Sequence, residues 1–238
     1  MERVVKRRET VDIVGDLVSM IDTSIVFKSI TDNLDGTYTI ETCDTSYAFP
    51  CLKFEHDGVE YEVLETGFLP NNQIVLKGDS VPVGPIVLEP MNYYHGTVIA
   101  GTTEIECKFE SMKRYPMVYL MEVIRDRFFN LEENIVDRES SFKLFFLLRT
   151  NENDWCTDEH YDRAIKPMRN MLYKFIDVLN NNENIGEIDS YSAINRAKFG
   201  VYSTDSGHTK RVFTDQTSGV ELGIDLPILK GSLCVDCC

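Results

Sequence analysis

Three features of this 238-residue sequence predict an α+β fold in which strands outnumber helices. Two Asp-Gly dipeptides, Asp35-Gly36 and Asp57-Gly58, each stand between strand-forming segments, where they supply the positive φ values of a tight hairpin turn. From Asp158 to Asn180 the residues Tyr161, Ala164, Ile165, Met168, Met171, Leu172, Phe175, Ile176 and Leu179 recur at three- and four-residue steps, which gives a helix one apolar side. Immediately before it, Phe142, Leu144, Phe145, Phe146, Leu147 and Leu148 form a nearly unbroken apolar run closed by Arg149, the composition of a strand buried on both faces. The helix is therefore expected to lie on a sheet.

The chain divides into three expected segments. Residues 1–23 form an N-terminal arm or short segment in which Val11, Ile13, Val14, Leu17, Val18 and Ile21 have roughly helical spacing, interrupted by Gly15; a short helix or an opening strand fits it. Residues 24–100 form a β module. Ile25-Val26-Phe27 and Thr37-Tyr38-Thr39-Ile40 flank the first hairpin turn, and Cys51 to Phe54 and Val59 to Leu64 flank the second, so two hairpins are expected back to back. Ile74 to Lys77, Pro85 to Leu88 and Tyr93 to Ala100 add short strands between Gly, Pro and Asn turns, the spacing of a small β-barrel or sandwich.

Residues 101–238 form the second region. Thr103 to Phe109 and Tyr115 to Glu122 read as strands, Arg125 to Ser140 as a charged connection, and Phe142 to Arg149 as the buried strand. In the helix, Thr157 or Asp158 can cap the first turn, and Asp158 and Glu159 suit its positive end. Pro167 lacks an amide donor and predicts a kink near Ala164 and Ile165 within one bent helix, which Asn180, Asn181 and Asn182 stop. Lys198 to Ser203 and Lys210 to Thr214 follow as strands around the loop Thr204 to Gly207, and Gln216 to Gly219 reads as a turn. The final strand sets Val220, Leu222, Ile224, Leu226 and Ile228 on one face against Glu221, Gly223, Asp225 and Pro227 on the other. An antiparallel sheet with one long helix packed on it is the expected result.

Composition narrows the function. With 39 acids against 24 bases the formal net charge is −15, which argues against a dedicated nucleic-acid-binding module. The one basic cluster, Arg3, Lys6, Arg7 and Arg8, reads as a solvated arm or as one that docks on an acidic partner surface. No window has the roughly 20 apolar residues of a membrane span, and no apolar signal region follows the N-terminal charges, so the expected setting is a cytosol or the inside of a larger particle.

Chemistry-bearing patterns are few. Cys43, Cys51, Cys107 and Cys156 are expected to be reduced and mostly buried, and Cys234, Cys237 and Cys238 to form a frayed or partner-docked terminus, since no second Cys/His pair completes a metal site. His56, His95, His160 and His208 have no metal-ligand spacing and read as surface or turn residues. Gly200 and Gly207 do not make a phosphate loop, and Ser206-Gly207-His208 is not a nucleophile elbow. Asp154, Asp158 and Glu159 are explained by capping. No catalytic, cofactor-binding or metal residue is assigned, and no enzymatic activity is expected.

Taken together, Tyr115 to Leu120, Phe142 to Arg149, Ile165 to Arg169 with Phe175 to Leu179, Gly219 to Leu226 and the cysteine-rich end resemble the tail-completion, or tail-terminator, proteins of bacteriophages, most closely those of crAss-like phages and related Bacteroides prophages. The likeness spans Gly101 to Cys238 and rests on the order of elements. It implies a head-to-tail connector: a virion protein, assembled in the host cytoplasm, forming a ring of six or twelve copies in the neck or tail. The ring would join the portal protein to other neck or tail rings and leave a channel for genomic DNA, without sequence-specific binding and without a membrane. The β module departs from the minimal terminator pattern and favours one of several stacked neck rings. Two other readings stand beside it: a tail-associated adaptor or fibre-attachment module, expected to expose one apolar patch, and a hydrolase whose acids converge only in three dimensions.

Overall fold

Helix α1 (Thr10–Ser19) resolves the opening segment as a helix. Ile13, Val14, Leu17 and Val18 are buried along one side. Gly15 has no side chain because the ring of Tyr93 lies 3.0 Å from where its Cβ would stand. The computed structural model describes residues 8–67, 72–97, 114–129, 135–150, 156–203, 209–211 and 215–229, with backbone alone at 157, 201–203 and 209–211. Arg3, Lys6, Arg7, Cys107, Asp154, the strand expected over Thr103 to Phe109, the loop Thr204 to Gly207 and the cysteines of the tail lie outside the described residues.

Strands β1 (Ser24–Ile25), β2 (Phe27–Asp32), β3 (Thr37–Thr42), β4 (Lys53–His56), β5 (Val59–Gly67), β6 (Gln73–Lys77) and β7 (Ile86–Val87) follow. β1 and β7 pair as a two-stranded ribbon, and the other five make one antiparallel sheet in the order β2-β3-β6-β5-β4. Both expected hairpins are present, though in the first turn Leu34 and Gly36, not Asp35, take the positive φ values. Asp57 and Gly58 have φ values of 51° and 78°, the positive pair that a two-residue turn of this kind requires. The hairpins are not back to back, however, because β6 enters between β3 and β5 and pairs with both. Tyr38, Ile40, Tyr61, Val63, Ile74 and Leu76 alternate toward the core, which leaves the other face to solvent.

The second sheet contains β8 (Asn92–Gly96), β9 (Met117–Phe128), β10 (Val136–Arg149), β11 (Tyr191–Phe199) and, beyond the small ribbon of β12 (Val201–Ser203) and β13 (Thr209–Arg211), β14 (Thr217–Leu229). Its order is β11-β14-β10-β9-β8, antiparallel except for β8, which runs parallel to β9. Helix α2 connects β10 to β11 as Thr157–His160, a π-helical turn Tyr161–Ile165 and Lys166–Asn180. That wide turn is the form taken by the expected kink. Pro167 has no amide to give its preceding turn, and the ladder relaxes over the five residues that end two positions before it. At the start of α2, the Glu159 carboxylate accepts from the Cys156 amide at 2.9 Å, one half of a capping box. At its end the Asn181 side chain donates to the Asp177 carbonyl at 2.8 Å.

Several expectations change. β8 lies before residue 100 yet belongs to the second sheet, and α1 packs there too, through Tyr93, whose hydroxyl donates to the Val11 carbonyl at 2.9 Å. One continuous core joins both sheets, from Ile40 and Tyr47 to Phe146, Leu172 and Phe175. The polar stretch Arg125 to Ser140 is not merely a connection, because β9 runs to Phe128 and β10 begins at Val136; backbone pairing carries those strands past the edge of the apolar core. The turn expected at Gln216 to Gly219 is mostly strand. Gly219 is there for clearance, since a Cβ would stand 1.8 Å from the Phe146 carbonyl oxygen. Cys43, Cys51 and Cys156 are exposed rather than buried, each in a connecting segment outside the strands and helices.

Candidate functional site

Alternation along β10 and β14 separates the two faces of the second sheet. Phe142, Leu144, Phe146 and Leu148, with Val220, Leu222, Ile224, Leu226 and Ile228, meet α1 and α2 in the main core. The opposite face is apolar at one end only, where Met117, Tyr119, Phe145, Leu147 and Phe199 form a small second cluster; the Phe145 and Phe199 rings lie 4.6 Å apart. Beyond it the face turns polar.

Glu221 marks that transition. It is 2% exposed, yet it carries two cations: Lys143 Nζ donates to Oε1 at 2.6 Å, and Arg196 donates to Oε2 through Nε at 2.6 Å and again through its terminal nitrogen. Burial alone would raise its pKa; the hydrogen bonds from Lys143 and Arg196, and then their charges, outweigh it and hold the carboxyl below its usual range. The register explains the meeting. Phe145 and Ile194 flank Glu221, so Lys143 on β10 and Arg196 on β11 are its diagonal neighbours on the same face.

Next to this triad lies an open groove of about 630 Å³ across β9, β10, β14 and the start of β11. Its floor is Gly223, opposite Lys143, where a Cβ would come within 2.7 Å of Ser192 Oγ. Met121 and Val123 supply its apolar wall, and Arg125, Ser141 and Asp225 line its far side. Among the described residues, the side chains of Arg125, Ser141 and Asp225 have no hydrogen-bond or ion-pair partner.

The groove opens beside an unpartnered edge. β11 pairs with β14 on one side, and no described strand covers its other side over nine residues. Tyr191 is 42% and Ile194 44% exposed. An edge of this length, carrying apolar side chains and no proline, presents a row of backbone donors and acceptors to another chain.

The remaining polar clusters are joints of the fold. At one end of the sheet Arg114 donates to Asp215 at 3.2 Å and Arg149 Nε lies 3.9 Å from the same carboxylate; burial, then the Asp215 charge, pushes the Tyr115 hydroxyl pKa up. Ser218 is 3.4 Å from His160 Nδ1 and 3.2 Å from the Thr150 hydroxyl, but its own proton goes to the Ala197 carbonyl. That serine is buried and committed, so the pair ties α2 to β14 and is not an activated nucleophile. His160, 9% exposed, is therefore not the surface residue expected from its isolation in the sequence. His56 meets the Val83 carbonyl at 2.9 Å and His95 meets Glu122 at 3.0 Å, so the described histidines do not converge. His208 lies outside the described side chains. Among the described residues no helix is long and apolar enough to cross a membrane.

The sequence pattern set Glu221, Gly223 and Asp225 on one face of the last strand, opposite Val220, Leu222 and Ile224, but pointed to no groove there. Their partners were missed. Lys143, a single cation inside the apolar run, is the signal that β10 turns one position toward a polar neighbour. Comparison with protein-family models, curated proteins and solved structures found no match.

Proposed function

We propose that the chain is a structural subunit of a closed ring in the neck or tail of a bacteriophage, joining portal to tail around the genome channel. The observation that carries this reading is the edge of β11, nine residues long and covered by no described strand. A head-to-tail ring needs a heterologous contact in which one surface of a subunit meets a different surface of the next, and a free strand edge supplies ordered hydrogen bonds for it. In this reading the second sheet with α2 is the tail-terminator-like unit, the first sheet is an added module, and the chain transforms no substrate. The net charge of −15 suits a channel wall along which DNA phosphates slide without sticking.

A second reading, a tail-associated adaptor, draws support from two exposed valines, Val87 on the ribbon of β1 and β7 and Val26 directly after β1. Electron microscopy of the purified chain separates the two. Annular particles that disappear in the double variant Tyr191→Glu/Ile194→Glu, with circular dichroism unchanged, support the ring. Single compact particles for both proteins favour the adaptor.

A further inference from the structure

We infer that the groove over Gly223 is a binding site for a small organic oxyanion, a function separate from assembly. Three donors stand together on β9 and β10. Ser141 pairs directly with Arg125, and Lys143 lies two residues along β10 on the same face, which makes it a diagonal neighbour of Arg125. Glu221 shares its charge between Lys143 and Arg196, and Arg125 has no ion-pair partner among the described residues, so the cluster keeps donors for an incoming anion. The Arg125 guanidinium and the Ser141 hydroxyl are unpaired among the described residues, whereas Lys143 spends one of its three protons on Glu221.

The triad also fixes the site in advance. Glu221, buried beneath the groove's end, holds the Lys143 ammonium in place, so little side-chain freedom is lost when a ligand arrives. Lys143, Arg196 and Arg125 against Glu221 and Asp225 leave the region one positive charge in excess, on a chain whose net charge is −15. Asp225, across Ser141 from Arg125, accepts a hydroxyl or amine of the same ligand. Met121 and Val123 cover an apolar body, and the volume of about 630 Å³ falls within the range of small-molecule sites. The missing side chain at Gly223 is what leaves the space open.

Phosphate and carboxylate share this chemistry, so phenyl phosphate and phenylacetate are the probes. Titration calorimetry on the full chain at low ionic strength is expected to give saturable one-site binding of at least one of them, and which one identifies the oxyanion. Arg125→Gln and Ser141→Ala should each weaken that binding, the former on the order of tenfold, as befits loss of a charge-assisted hydrogen bond. Lys28→Gln, on the first sheet, should leave it unchanged. Absence of saturable binding for both probes, or binding that survives Arg125→Gln and Ser141→Ala in folded protein, overturns the assignment. None of these outcomes depends on whether the chain forms a ring.

Discussion

Glu221 is the most heavily engaged single residue of the sheet, a buried carboxylate between two half-exposed cations. Glu221→Gln removes the charge that Lys143 and Arg196 neutralise, and should cost about 1–3 kcal/mol at neutral pH in urea unfolding. Because the folded pKa is depressed, this contribution is present above the unfolded value and is lost as pH falls through the folded one. The stability gap between wild type and variant should therefore shrink below about pH 4; a gap that stays constant into acid would contradict the ion-pair account. Gly219 offers a steric counterpart. A methyl group there meets backbone, which cannot rotate away, so Gly219→Ala should lower stability by about 3 kcal/mol or more in thermal unfolding. Neither residue betrayed its role in the sequence: Glu221 looked like a solvent-facing acid, and Gly219 looked like a turn, since clearance and cross-strand pairing depend on partners some seventy positions away.

At the scale of elements, legibility followed local pattern. The Asp-Gly hairpins, α2 and the alternation of β14 could be read because their signals lie within one segment: turn chemistry, a 3.6-residue period and a two-residue period. β11 was read only at its end. Its residues Tyr191 to Lys198 are exposed or half-exposed on both faces and have no apolar alternation to detect. The parallel pairing of β8 with β9 was not legible, because nothing local records which strand a short segment will join. The first sheet is fastened to α2 by a polar clamp as well as by the shared core. Asn170 Nδ2 donates to Asp44 Oδ1 at 2.7 Å and to the Ser46 carbonyl at 2.9 Å, and Lys174 meets Asp44 at 2.5 Å. Asn170→Ala should cost about 1–2 kcal/mol and raise amide exchange in the segment from Thr42 to Ala48 ahead of the rest. Uniform exchange across the chain would mean that the clamp carries no local load.

For the whole molecule, the two sheets, α1 and α2 share one core, so surface charge and strand edges, rather than motion between halves, are what the chain presents to other molecules. The buried side of the second sheet is filled by α1 and α2, its other face carries a small apolar cluster around Phe145 beside the polar groove, and no described strand covers its β11 edge. Those features fit a subunit built to be joined. Native mass spectrometry of the purified chain, alone and mixed with a candidate phage portal protein, tests the proposed ring most directly. The account predicts a species of six or twelve copies in at least one of the two samples; a monomer or dimer in both, indifferent to the portal, would contradict it.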